Sequence, residues 1–278
     1  MKRLTNKVYV EENYFAPNVG FIKTSEGAVL IDSPFLPVDA KDWRAKIETV
    51  GINIACLINT DHHFDHIMGN CFLTKNTIAH KLAIKGFQFY LNKENLFNDI
   101  ETFFPGKTND SSTGFDQVEI VMPRMAFSEE LILYYDDTQI NLKYLGGHCL
   151  ATIMIYVPSE KLLFAGDNIE NNRHPAMGGC RFDQWIKVLK DVEKMDIDIV
   201  VPGHGAVGGK NLVTKQIRYF EEMYSFVKSL KSAGKEKGKV LEETEVHMIS
   251  YLPVDEDRLA SSKRIIRVGT NKLYEQLR

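Results

Sequence analysis

Thr60-Asp61-His62-His63-Phe64-Asp65-His66 is the stretch that decides how this chain folds. Asp61, His63 and Asp65 stand two residues apart, so a locally extended backbone points all three side chains to one side. His66 then needs a turn to join them. Imidazoles and carboxylates converging in this way are the ligand types that hold zinc, manganese or iron. A cluster this dense rarely serves packing.

Three later residues belong with it because each follows a strand-like apolar run. Ile140 to Leu145 precedes Gly146-Gly147-His148, Leu162 to Ala165 precedes Gly166-Asp167, and Ile197 to Val201 precedes Pro202-Gly203-His204. The heptapeptide itself follows another such run, Ile52 to Asn59. Four strands that each deliver a ligand type at their exit, three of them through glycines that permit a tight turn, predict one shared site at a sheet edge.

These residues resemble the metallo-β-lactamase superfamily, whose pattern is His-x-His-x-Asp-His followed by single His, Asp and His ligands after later strands. The resemblance runs from about Val8 to Gly205 and includes the strand end Val29-Leu30-Ile31-Asp32. It departs at Asp61, where the pattern has its first histidine.

The resemblance implies an α/β protein built as a four-layer αββα sandwich, with the seven ligands at one edge. Metal site one would use Asp61, His63 and His148, and site two Asp65, His66 and His204, with Asp167 bridging. Asp32 would brace the metal-binding loop. In such proteins the loop corresponding to Glu11 to Asn18 can overhang the metals, so Tyr14 and Phe15 are expected substrate contacts together with Phe64. The implied chemistry is binuclear and hydrolytic. A hydroxide shared by two divalent ions is expected to attack a small ester, thioester, lactone, amide or phosphoester, with Asp65, the expected catalytic residue, or a metal-bound water later delivering a proton. Zinc is the expected metal, although the extra oxygen ligand at Asp61 brings manganese or iron into competition. Three carboxylates and a hydroxide neutralise two divalent ions, which leaves the centre one charge less positive than a histidine at 61 would.

The runner-up is an iron-dependent redox enzyme on the same fold, acting on oxygen or nitric oxide. Its flavodiiron branch places a glutamate where His63 stands and carries a flavin domain, and neither is present in this sequence. A binding protein with a relic site is disfavoured, because all seven positions hold competent ligands.

At 278 residues and 44% hydrophobic the chain can bury a large core, which fits one domain over 1–278 with a helical C-terminal part at 211–278. A formal charge of -3 and a pI near 6.3 give no basic stripe for nucleic acid. No apolar run has the length of a membrane span or signal peptide, and Cys56, Cys71, Cys149 and Cys180 are widely spaced. A cytoplasmic protein with reduced thiols and a small-molecule substrate, without membrane or nucleic-acid partners, is the expectation. Cys149 adjoins a ligand but reads as a small buried hydrophobe.

Coarse patterning places helices at Val38 to Val50, Asp183 to Met195 and Leu212 to Leu230, and strands at Thr77 to His80, Val118 to Val121 and Glu130 to Tyr134. Lys231 to Lys239 reads as a solvated loop and Glu242 to Arg278 as further helices. The aromatic-rich segment Gly86 to Gly114 fits a helix pair that buries its rings; a lid or a homodimer contact is the competing reading. His62 falls outside the ligand register. His80, His174 and His247 have no partner spacing; Arg173 and His174, soon after Asp167, could reach a substrate anion, but a solvated charge is the preferred reading of Arg173.

Overall fold

A computed structural model describes every residue except Asn109, Asp137 and Arg278. Four strands open the chain as an antiparallel meander: β1 (Lys2–Arg3), β2 (Val8–Glu11), β3 (Val19–Thr24) and β4 (Gly27–Ile31). Helix α1 (Pro37–Thr49) then crosses to β5 (Ile54–Ile58), which lies parallel to β4. Two short helices follow, α2 (Phe64–Ile67) and α3 (Asn70–Leu73), before β6 (Thr77–His80). Past α4 (Ile84–Tyr90) and α5 (Lys93–Phe103), β7 (Met125–Phe127) pairs parallel to β6 and completes a seven-stranded sheet.

The second sheet has five strands. β8 (Glu130–Tyr135), β9 (Thr138–Tyr144), β10 (Ile153–Val157) and β11 (Leu162–Glu170) run antiparallel, and α6 (Phe182–Val192) carries the chain to β12 (Ile199–His204), parallel to β11. Helices α7 (Asn211–Ser232), α8 (Lys237–Ile249) and α9 (Leu259–Gln276) end the chain.

Strand periodicity explains the layering. In β4, Val29 and Ile31 face the second sheet, whereas Ala28 and Leu30 face Trp43 and Ile47 of α1. In β11, Leu162 and Phe164 meet the first sheet, whereas Leu163 and Ala165 meet α6 and α7. Strands buried on both faces read as continuous apolar runs, which is how β4 and β11 look in sequence. Each such side chain contributes roughly 1.5–3 kcal/mol by leaving water. On α6 the spacing of Phe182, Trp185, Val188, Leu189 and Val192 makes one apolar stripe. Residues of α7, α8 and α9 join that stripe in a single cluster. The order of layers is therefore α1, seven-stranded sheet, five-stranded sheet, and α6 to α9: the αββα sandwich.

Some local expectations differ from the structure. No strand forms at Val118 to Val121 among the described residues; Val118 and Ile120 instead pack into an aromatic cluster with Phe115, and the edge of β6 is taken by β7. Helix α8 begins at Lys237, inside the stretch expected to be a loop. Gly86 to Gly114 contains the helix pair, α4 and α5, which buries Phe87, Tyr90, Leu96 and Ile100 and leaves Phe89, Leu91 and Phe103 exposed. No helix among the described residues is long and apolar enough to cross a membrane.

Candidate metal centre

The end of β5 feeds the heptapeptide into the space beside the ends of β11 and β12. The backbone stays extended only to His63, with φ -65° and ψ 145°, and α2 starts at Phe64. Asp65 and His66 therefore reach the centre from the first turn of a helix, where an extended strand had been expected to present Asp65. Asp167 is another departure: β11 continues to Glu170, and Asp167 sits inside it, where the pairing with β12 shifts register around Gly166 (φ 53°). The bulge turns the carboxylate inward without ending the strand.

Seven side chains are brought together. His66 Nε2 lies 3.3 Å from Asp167 Oδ1 and 3.9 Å from Asp65 Oδ2. His204 Nε2 lies 3.4 Å from Asp167 Oδ1 and 3.5 Å from Asp65 Oδ2. On the other side, His148 Nε2 stands 3.7 Å from Asp167 Oδ2, 3.8 Å from Asp61 Oδ2 and 3.3 Å from His63 Nδ1. Donor atoms bound at about 2.0–2.2 Å to one tetrahedral ion are about 3.3–3.6 Å apart; three of the four contacts around His66 and His204 have that spacing, whereas those of His148 run from 3.3 to 3.8 Å. The two oxygens of Asp167 divide between these two groups.

The outward nitrogens of three imidazoles are fixed by acceptors. His66 Nδ1 meets Asp32 Oδ2 at 3.0 Å, His148 Nδ1 meets Ala176 O at 2.9 Å, and His204 Nδ1 meets Ala16 O at 2.9 Å. Each bond leaves Nε2 aimed inward, the arrangement that orients metal-binding histidines. Asp32 also accepts from Thr60 N and Oγ1 at 2.7 and 2.6 Å, which ties the motif to the end of β4. His66 Nε2 and Asp167 Oδ1 are buried without a hydrogen-bond partner, an arrangement that costs free energy unless a cation takes their lone pairs. Gly203 permits the close packing behind Asp167, since a Cβ there would lie 2.0 Å from Asp167 Oδ1.

Electrostatics points the same way. Burial opposes charge on all these groups, yet the imidazoles hold the carboxylates of Asp61, Asp65 and Asp167 below their ordinary range. In return, the burial that would lower His63 and His204 is outweighed by the carboxylates, which raise them to about 9 and about 10; His66 is raised well above its usual value for the same reason. The carboxylates thus favour positive charge at the cluster, and the donor set fits divalent metal ions.

Asp61 is the ambiguous member. Its Oδ2 lies 2.8 Å from His63 Nδ1 and its Oδ1 accepts from His63 N at 2.8 Å, so it can either ligate or hold His63. Cys149 was read as an ordinary core residue; it is buried, but its Sγ lies within 4.8 Å of donor atoms of Asp61 and His63. His62 stacks on His63, packs against Gly86 and brings its Nδ1 to 3.9 Å from Cys149 Sγ. Phe15 and Phe64 line one flank with Phe35, Phe103 and Phe104. Phe64 is 4% exposed and Phe15 40%, so the latter reaches solvent. Tyr14 is drawn elsewhere, its hydroxyl donating to Asp42 and its ring edge-on to Trp43. The histidines read as ordinary are committed outside the centre: His80 Nε2 to Ser128 O, His174 Nδ1 to the Tyr219 hydroxyl and His247 Nε2 to Glu222. Arg173, read as a solvated charge, is half-buried against His204.

A family model described as "Metallo-beta-lactamase superfamily" matches residues 135–204. The metallo-beta-lactamase type 2 of Bacteroides fragilis is 26% identical over 234 residues, which is 77% of this chain and 83% of that protein. Among solved structures, a metallo-beta-lactamase family protein from Thermus thermophilus superposes with a TM-score of 0.70 at 13% identity, covering 99% of this chain and 94% of its own. A double mutant of the sec-alkyl sulfatase PisA1 gives 0.73 at 14% identity, covering 99% of this chain and 49% of its own.

Proposed function

The chain belongs to the metallo-β-lactamase superfamily, and from that membership and the geometry of the centre we propose that it is a binuclear metal-dependent hydrolase. Its substrate is a small ester, thioester, lactone, amide or phosphoester. Asp61, His63 and His148 would hold one ion and Asp65, His66 and His204 the other, with Asp167 facing both groups. The observation that carries this reading is the division of the Asp167 carboxylate, with Oδ1 at 3.3 and 3.4 Å from His66 and His204, and Oδ2 at 3.7 Å from His148. Each site would offer two imidazoles and one carboxylate besides Asp167, a set that suits zinc while the oxygen ligand at Asp61 keeps manganese or iron in competition.

Two ions held there supply Lewis acidity and an acidified water. The residues do the rest. Asp65, its side chain 14% exposed, would take the proton that the attacking water gives up and pass it to the departing group. His63 is the more accessible neighbour, its side chain 33% exposed. Phe15 and Phe103 offer the apolar surface against which the remainder of a substrate lies. Four free thiols support a reducing, cytoplasmic setting.

Metal analysis of dialysed protein tests the assignment. The expected result is two equivalents per chain, falling to one in His66→Ala and in His204→Ala, with hydrolysis of an ester and phosphoester panel abolished by chelation. Full turnover after complete metal removal, or two equivalents retained in both variants, would falsify it.

A further inference from the structure

Two phenyl rings on the flank of the metal centre reach solvent, Phe15 at 40% exposed and Phe103 at 47%. Each adjoins a residue of the centre. Phe15 precedes Ala16, whose carbonyl holds His204, and the Phe103 ring stands 6.0 Å from that of Phe64, the residue between His63 and Asp65. Phe104 joins the two, its ring 5.0 Å from Phe15 and 6.1 Å from Phe64. Phe103 is also the last residue of α5, a helix end that brings no cap of its own. The last turn holds no basic side chain, and Phe104 closes it at φ -133° instead of in a left-handed turn.

The cap comes from α9, 162 residues further on: Arg264 Nη1 donates to Thr102 O. The same guanidinium lies over the Phe103 ring, its carbon 5.6 Å from the ring centre, within range of a cation–π contact. Its neighbours Lys263 and Arg267 turn to Glu245 of α8, whereas Arg264 has no carboxylate partner among the described residues and faces α5 instead. One turn on, Val268 shares the face of Arg264 and lies against Gly178, and Gln276 donates to Cys180 O. That loop supplies the Ala176 carbonyl that orients His148. Helix α9 thus joins the aromatic flank to the loop behind His148.

We propose that Arg264 is a positioning residue of the substrate site: it holds Phe103 beside the heptapeptide, and the wall of Phe103, Phe104 and Phe15 so formed selects substrates with an apolar chain. The inference rests on the hydrolase reading and narrows it, from small esters in general to those with a chain of several carbons. Each methylene laid on that wall leaves water, as does the ring surface beneath it. A phenyl ring free to swing from the helix end would forfeit that gain.

Calorimetric titration of the metal-loaded protein with acetate and with octanoate tests it, with metal content measured on the same samples. The two acids share a carboxylate and differ in their apolar chain. Wild type should bind octanoate at least about tenfold more tightly than acetate, a gain that two buried methylene groups suffice to give. In Arg264→Gln that preference should fall below about threefold while metal content and acetate affinity hold; Arg264→Lys, which still brings a cation and a donor to Thr102 O, should recover part of it. Phe103→Ala should lose the preference too, and adding Arg264→Gln to it should cost nothing more, as for residues that act through one contact. Arg267→Gln, which faces Glu245, should bind like wild type. A wild type without chain preference overturns the proposal, as does an Arg264→Gln variant that keeps it or a double variant whose losses add. Loss of metal from Arg264→Gln also overturns it, since Arg264 would then support the centre and not the wall. A wild type that prefers octanoate yet hydrolyses no ester sinks the hydrolase reading and leaves the wall standing.

Discussion

An aspartate at position 61 changes what the first metal position can be. Its carboxylate is buried between His63 and His148 and makes two bonds to His63 alone. If it ligates, Asp61→Ala should weaken site one by more than about 100-fold, beyond the roughly 10–100-fold typical of residues that only support ligands, and leave site two filled. Asp61→His should restore a nitrogen ligand, add one positive charge and shift the preference towards zinc. His62→Ala should keep both ions, because that ring packs on Gly86 and His63; full site-one affinity in Asp61→Ala with loss in His62→Ala would show that the register is wrong. Asp32→Asn should cost about 10–100-fold at site two, since it loosens His66 Nδ1. The seven residues that converge were legible because residue type, two-residue spacing and glycine-rich strand exits all agreed. The surroundings of Tyr14 and Cys149 were not, because they depend on which way a loop side chain turns. Asp42 and Lys46 draw the Tyr14 hydroxyl towards α1, and nothing local in sequence announces that.

Elements were legible wherever burial is simple. A double-sided strand such as β4 and a one-sided helix such as α6 each leave a period in the sequence. Irregular elements leave less. The bulge at Gly166 keeps Asp167 inside β11, and α2 is only four residues long, so the pattern marked residues that converge at the centre while placing the backbone wrongly. Val118 to Val121 looks like a strand by composition, yet its apolar side chains go to an aromatic cluster. Register at the β11–β12 pair has its own test. Gly203→Ala would set a Cβ 2.0 Å from Asp167 Oδ1 and 2.7 Å from the Gly166 carbonyl carbon. The strands must then part or Asp167 must leave the centre. Expected outcomes are a loss of about 1–3 kcal/mol in unfolding free energy, as for other overpacked sites, and fewer bound ions. Wild-type metal content at wild-type stability would show that the close approach is unnecessary.

The whole molecule is held at two places that matter for stability: the apolar layers, which are indifferent to pH, and a buried polar centre, which is not. In the metal-free protein, carboxylates raise His63 to about 9 and His204 to about 10, above the ordinary imidazole value of 6.5. Groups raised in this way contribute stability that is complete below about pH 6.5 and lost as pH climbs through about 9 to 10, because the folded chain then gives up the protons that it had held more tightly than the unfolded one. Asp61, Asp65 and Asp167 are depressed, so their contribution is present above their ordinary value of 3.8 and lost in acid. Metal ions displace the protons, which frees the loaded protein from the alkaline loss and makes metal affinity rise with pH. At a free concentration about a hundredfold above its dissociation constant, one ion adds about 2.7 kcal/mol, or roughly 5–10 °C for a chain near this size. Thermal scans with and without metal at about pH 6 and about pH 9.5 should therefore show a gap that widens at the higher pH, mainly because the metal-free midpoint falls. A gap that stays constant or narrows would mean that His63 and His204 are neutral in the empty centre, and that their carboxylate partners are not what raises them.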